Sequence, residues 1–277
     1  MTWRASGHDN WFQLCMEPNF DVEILKPAQQ CYTNFIDAGN HVANLIANRW
    51  YDKPLYLTLS GGLDSEFVAN RLKENKIDFT PVIFRLPPFN NYETWYADYW
   101  CWQNNVKPLV IEYNIDQYTQ AIQKFSKWGA ELKNFNLVTQ MIVYDFINSL
   151  NGYVIYCAGD MQFDVNSKDQ FYLHTFDFIS DIASVGQHPT SFYMYAPEIL
   201  LSYITGYNLS LSENYNKILA YQLSPRPKID YQVDLALDSR WFELKHHLSV
   251  QYDVPLETQH KSCYFGTKEQ IIKKLTR

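Results

Sequence analysis

The chain alternates short apolar runs with longer stretches of helical spacing. Between residues 28 and 50, Tyr32, Phe35, Ile36, Val42, Leu45 and Ile46 recur at helical intervals. Asp52-Lys53-Pro54 breaks that pattern. Leu55 to Leu59 is an apolar run of strand length, and it ends in Ser60-Gly61-Gly62-Leu63-Asp64-Ser65. A helix is predicted to follow at once, with Leu63, Phe67, Val68 and Leu72 near one face. Phe79 to Leu86, Leu109 to Tyr113 and Tyr153 to Ala158 are further predicted strands. Helical spacing separates them, in Tyr92, Trp95, Tyr96, Tyr99 and Trp102 and again over Asn136 to Leu150. Strands alternating with helices predict an α/β fold with a doubly wound, mostly parallel sheet. Ligands of such sheets lie at the carboxyl ends of the strands, at a switch point in strand order. The strand after Pro54 is placed to deliver its glycine loop there.

Outside this alternation the pattern is weaker. Residues 1–27 mix aromatic and polar positions and read as an irregular lead-in. Beyond residue 176 the strand signal fades, and helices are predicted at Tyr195 to Ile204, Glu213 to Leu223 and Lys268 to Leu275. Ser210 with Glu213, and Thr267 with Gln270, have capping-box spacing. The expected organisation is a lead-in and helix over 1–50, an α/β domain over 51–175, and a mostly helical extension over 176–277 closing the substrate site.

Composition narrows the classes. At 277 residues and 47% hydrophobic content the chain can bury a substantial core and is not a disordered segment. A net charge of −7 argues against broad nucleic-acid binding, which relies on Lys and Arg, although a local basic patch stays open. The five cysteines include no Cys-x-x-Cys pair, which speaks against a zinc ribbon and fits a reducing cytoplasm. No apolar run reaches membrane-spanning length, and the first residues lack the apolar core of a secretion signal.

The glycine loop carries the chemistry. Backbone N–H groups at a helix start have no partner within the helix, and the helix dipole adds partial positive charge. Gly61 and Gly62 let backbone approach a ligand without a Cβ between, and Ser60 and Ser65 offer hydroxyls. Together they predict an anion site. Asp64 would repel a phosphate directly, so its place beside the cradle points to a bridging Mg²⁺.

Ser60-Gly61-Gly62-Leu63-Asp64-Ser65 after an apolar strand resembles the PP-loop of the ATP pyrophosphatases, the adenine-nucleotide alpha-hydrolase-like superfamily. Its wording is most similar to the synthetase domain of asparagine synthetase. The Walker pattern Gly-x-x-x-x-Gly-Lys-Ser/Thr does not occur. The resemblance implies that Ser60, Gly61, Gly62, Leu63, Asp64 and Ser65 hold the β- and γ-phosphates of ATP, which leave as pyrophosphate. It implies that Phe84 and Arg85 lie near adenine, with backbone groups reading its edge; Arg85 as an ordinary surface arginine stays open. After the fourth predicted strand, Gly159, Asp160 and Asp164 match part of the acidic Gly-Glu-Gly-Ser-Asp-Glu loop of asparagine synthetases. Met161, Gln162 and Phe163 depart from it. Asp160 and Asp164 would then join Asp64 around Mg²⁺. Lys261, in His260-Lys261-Ser262-Cys263-Tyr264-Phe265-Gly266, is the candidate to meet charge on the α-phosphate.

Other residues are expected to be structural. Glu198 after Pro197 favours a helix N-terminus more than an acceptor site. Cys263 lacks the Glu-Cys-Gly context of the sulfonucleotide reductases. His246 and His247 are adjacent, so on a helix they point in different directions and are not expected to share a metal, and the aromatic stripe over 92–102 reads as core. The implied activity is an ATP-dependent, AMP-forming ligase acting on a small-molecule acceptor, with Asp64, Asp160 and Lys261 as candidate catalytic residues. Thr2 stands where glutamine-dependent asparagine synthetases carry a nucleophilic cysteine, so ammonia would come free or from a partner. A homo-oligomer is compatible with this reading. Alternatives are a PP-loop enzyme of nucleotide or tRNA modification, and a non-catalytic adenine-nucleotide-binding protein.

Overall fold

The fold is a four-stranded parallel sheet flanked by helices, seen in a computed structural model that describes residues 2–4, 11–15, 21–126, 135–157, 162–165, 170–176, 191–206, 243, 244, 246, 248, 250 and 260–277. Its strands are β4 (Leu55–Thr58), β5 (Thr80–Arg85), β6 (Leu109–Glu112) and β7 (Tyr153–Ile155), in the order β6-β5-β4-β7. Tyr56 faces Thr80 on one side and Val154 on the other. Every pairing in this sheet is parallel, as strand–helix–strand crossovers require. The chain builds outward from β4 to β6, then returns to place β7 on the far side of β4. The switch point lies between β4 and β7. Ser191 extends the row by one bridge to Tyr156.

The crossover helices form where helical spacing announced them. They are α2 (Leu63–Glu74), α3 (Asn91–Gln103) and α5 (Phe135–Ser149), with α1 (Phe35–Arg49) ahead of the sheet. Asn34 caps α1 by accepting from the Asp37 N–H at 2.7 Å. Helix α1 buries Phe35, Ala38, Val42 and Ile46. It approaches α2 so closely that a Cβ on Gly39 would lie 2.9 Å from the Phe67 ring. Leu57, Ile83 and Ile155 in the sheet are fully buried. Each such side chain contributes about 1.5–3 kcal/mol.

Several elements went unannounced. Helix α4 (Ile115–Ser126) opens on a reciprocal cap, Asn114 Oδ1 accepting from Gln117 N and Gln117 Oε1 from Asn114 N, both at 2.9 Å. The lead-in holds three strands, β1 (Thr2–Arg4), β2 (Phe12–Cys15) and β3 (Asp21–Ile24), in an antiparallel sheet. They are too short to show alternation. What fixes them is tertiary: Trp11 is buried and donates from Nε1 to the Met194 carbonyl at 2.8 Å. A second antiparallel sheet has β9 (Gln170–Phe176) between β8 (Gln162–Val165) and β10 (His260–Thr267). Strand β10 lies where the strand signal had faded, and its pairing with β9 is remote in sequence.

Helix α6 (Pro197–Gly206) follows a short 3-10 turn, Phe192–Met194. Helix α7 (Lys268–Thr276) carries the expected box between Thr267 and Gln270. The helix expected over 213–223 lies outside the described residues. The spaced aromatic stripe of α3, Tyr92, Trp95, Tyr96, Tyr99 and Trp102, is not core, and Tyr92 and Tyr96 are only half-buried. Trp100, Ala97 and Cys101 are buried, whereas Trp95, Tyr99 and Trp102 are exposed and stack on one another at 5.3 and 5.9 Å. Side chains three and four apart share a helix face, so the same spacing serves either surface. Among the described residues no helix is long and apolar enough to cross a membrane.

Candidate functional site

Ser60 to Ser65 leaves the carboxyl end of β4 and turns into α2, beside the switch point. Gly62 is the N-cap of α2 and, as a glycine, brings no side-chain cap of its own. The Gly62 N–H donates to Ser60 Oγ at 3.2 Å. Ser65 Oγ donates to the Gly62 carbonyl at 2.9 Å and lies 3.3 Å from Ser60 Oγ. The two hydroxyls therefore converge on one turn, with Ser65 buried and Ser60 exposed. Asp64 and Glu66 both lie in the first turn of α2, where carboxylates complement the helix dipole.

The two glycines differ. Gly61 has φ +94° and is buried; a Cβ there would lie 1.8 Å from the Glu93 carbonyl oxygen in α3. Its missing side chain makes room for α3. Gly62 has an ordinary backbone, φ −72° and ψ 158°, and is exposed. A Cβ there would meet only Ser60 Oγ, at 3.3 Å. Only Gly62 leaves its space to solvent, so a ligand approaching the backbone meets it there.

At the end of β5, Phe84 is buried and Arg85 is half-buried. One Arg85 nitrogen, Nη2, lies 2.7 Å from both Asp98 oxygens. Asn90 brackets the strand end: Nδ2 donates to the Phe84 carbonyl at 2.9 Å, and Oδ1 accepts from the Leu86 N–H at 2.8 Å. The Arg85 carbonyl accepts from Tyr113 N at 2.9 Å. Much of the backbone expected to read an adenine edge is therefore engaged. Asn90 is buried. Its position before a helix was visible in the sequence, but its partners were not.

Tyr193 is a second residue the sequence did not single out. It is buried, and its hydroxyl donates to the Asp64 carbonyl at 2.8 Å. Nothing in the aromatic run around it distinguished this tyrosine from its neighbours. Glu198 is buried in the first turn of α6 and accepts from the Gln29 N–H at 2.8 Å, with His41 Nε2 at 4.0 Å. It ties the lead-in to α6, in keeping with a structural role.

Gly159 and Asp160 lie outside the described residues. Asp164 belongs to β8, paired with Tyr172, and Lys261 to β10, paired with Thr175. They occupy the two outer strands of the small sheet with β9 between; their side chains lie outside what is described. Among the described residues no group of three His, Cys, Asp or Glu could hold a metal ion. The loop, the strand end of β5 and Tyr193 are thus the parts of the site whose geometry is on view.

No family model and no curated protein matches this sequence. Among solved structures, the chain is similar to NMN synthetase from Francisella tularensis, with 14% identity, a TM-score of 0.37, and coverage of 46% of this chain and 55% of that one. It is similar to NH3-dependent NAD synthetase from Campylobacter jejuni, with 19% identity, a TM-score of 0.34, and coverage of 46% and 57%. It is also similar to glutamine-dependent NAD+ synthetase from Acinetobacter baumannii, with 12% identity, a TM-score of 0.41, and coverage of 88% and 44%. The chain spans little more than half the length of the first two and less than half of the third. At these values the likeness adds nothing to what the strands and the loop establish.

Proposed function

We propose that the chain is an ATP-dependent synthetase of PP-loop type. A substrate oxygen attacks the α-phosphorus, the bond between the α- and β-phosphates breaks, and pyrophosphate leaves. A nitrogen or other nucleophile then attacks the adenylated substrate and AMP leaves. The observation that carries this reading is the Ser60–Ser65 turn. It joins a helix start whose N-cap is a glycine, a glycine backbone with its side-chain space open to solvent, and two convergent hydroxyls, at the carboxyl end of a central strand.

In this reading Leu63 offers its N–H to the departing pyrophosphate, and the Gly62 N–H and Ser65 hydroxyl turn to it from the Ser60 hydroxyl and Gly62 carbonyl that hold them in the free turn. Asp64, Asp160 and Asp164 would hold Mg²⁺, whose charge offsets that of the phosphates when bound. Lys261 would meet charge on the α-phosphate, and Gly159 would let the loop after β7 approach it. Because Asn90 and Asp98 hold the end of β5, Phe84 and Arg85 would serve adenine by packing more than by reading its edge. Residues 51–175 would form the ATP-binding domain and 176–277 the part that closes over the acceptor. The setting would be the cytoplasm, with ammonia free or from a partner.

The test is pyrophosphate release from ATP and Mg²⁺ with pooled carboxylate acceptors and ammonia. Release that disappears in Asp64→Ala supports the synthetase. ATP binding with no release across acceptors points to a nucleotide-binding protein, and tight RNA binding at moderate salt to a modification enzyme. If neither ATP nor AMP raises the melting temperature, the nucleotide reading is wrong.

A further inference from the structure

We propose that Tyr193 is a positioning residue for the phosphate end of the site, an inference that rests on the nucleotide reading of the loop. The Tyr193 hydroxyl donates to the carbonyl of Asp64, within the first turn of α2. A helix carbonyl has two lone pairs, so it can accept this bond as well as its own helical one. The ring packs against two phenylalanines that themselves touch, with 5.0 Å between their centroids. It stacks on Phe35 of α1 with an interplanar angle of 8°, and on Phe67 of α2 with one of 27°, each at 6.2 Å between centroids.

The backbone of this segment is fixed from the opposite side of the switch point. Phe192 N donates to the Tyr156 carbonyl at 2.8 Å, just beyond β7, and Ser191 bridges to Tyr156. Met194 N returns to the Ser191 carbonyl at 3.0 Å, and the Met194 carbonyl accepts from buried Trp11. Tyr193 thus links the end of β7 to the start of the helix after β4. Those are the two elements that flank the switch point. The bond sets the tilt of the first turn of α2 relative to β7, and with it the direction in which the first-turn N–H groups point. Hydrogen bonds prefer angles above about 150° and weaken steeply below about 120°, so a rotation of that turn that takes its N–H groups off the phosphate oxygens weakens phosphate binding. Adenosine has no phosphate and is insensitive to it.

The experiment compares binding of adenosine and of ATP with Mg²⁺ by calorimetry, in the wild type, Tyr193→Phe and Phe35→Leu, with melting temperatures alongside. Tyr193→Phe keeps the ring and loses the bond. It is expected to weaken ATP about fivefold, the size of one neutral hydrogen bond, with adenosine unchanged. Phe35→Leu disturbs the same stack but keeps the hydroxyl; it is expected to lower the melting temperature and leave the ATP-to-adenosine affinity ratio as in wild type. Unchanged ATP binding in Tyr193→Phe, or equal weakening of both ligands, overturns the positioning role alone. A wild type that binds neither ligand overturns the nucleotide reading and this inference with it.

Discussion

Substituting Gly61 and Gly62 by alanine, one at a time, separates packing from ligand approach. At Gly61 the added Cβ would lie 1.8 Å from the Glu93 carbonyl oxygen, and the backbone sits at φ +94°. Positive φ costs a non-glycine residue about 1–3 kcal/mol, and the overlap with backbone forces α3 or the loop to move. The sum should exceed about 3 kcal/mol, or roughly 6–10 °C in melting temperature for a chain of this size. At Gly62 the backbone already suits alanine, and the nearest atom is Ser60 Oγ at 3.3 Å. Alanine is a poorer N-cap than glycine, but it also restricts the unfolded chain, so the two effects nearly cancel, to within about 1 kcal/mol. The new methyl group nevertheless occupies the open side of the turn.

The assay is thermal melting with and without ATP and Mg²⁺. A ligand at a hundred times its Kd adds about 2.7 kcal/mol of stability. Gly62→Ala is expected to melt within about 4 °C of wild type without ligand and to lose most of the ATP-dependent rise. Gly61→Ala is expected to melt low in both conditions. A full ATP-dependent rise in Gly62→Ala would refute a cradle that uses this amide. Normal melting of Gly61→Ala would refute the packing of α3 against the loop.

Other outcomes follow from single contacts. Asn90→Ala strands the Phe84 carbonyl and the Leu86 N–H beneath α3, and should cost about 2–4 kcal/mol by urea denaturation. Trp11→Phe leaves the Met194 carbonyl without its donor and opens space in the core; a loss of about 2 kcal/mol is expected in the same measurement. Burial, and secondarily Asp98, pushes the Cys101 thiol up to about 11, so iodoacetamide at pH 8 should label exposed Cys31 and spare Cys101, as peptide mapping would show. Because folding favours the neutral Cys101 thiol, its contribution to stability is complete below pH 9 and is lost as pH rises towards 11.

The sequence by itself determined the α/β alternation and the loop at its centre. Both are local: the apolar run of β4, the turn at Ser60–Ser65 and the helical spacing of α2 are encoded by neighbours in the chain, and each formed within a residue or two of where it was expected. The capping box at Thr267 is legible for the same reason. Only the tertiary structure decided what those residues face. Gly61 and Gly62 are adjacent and identical in type, yet one yields to α3 and the other to solvent, because Glu93 arrives from thirty-two positions along the chain. The aromatic face of α3 was assigned to the core because spacing reports a face and not what covers it. Strands β9 and β10, and the bond from Tyr193 to Asp64, join segments too remote for any local pattern to announce. Loop chemistry is written in a short run of residues, whereas the groups that aim it are set by packing across the sheet.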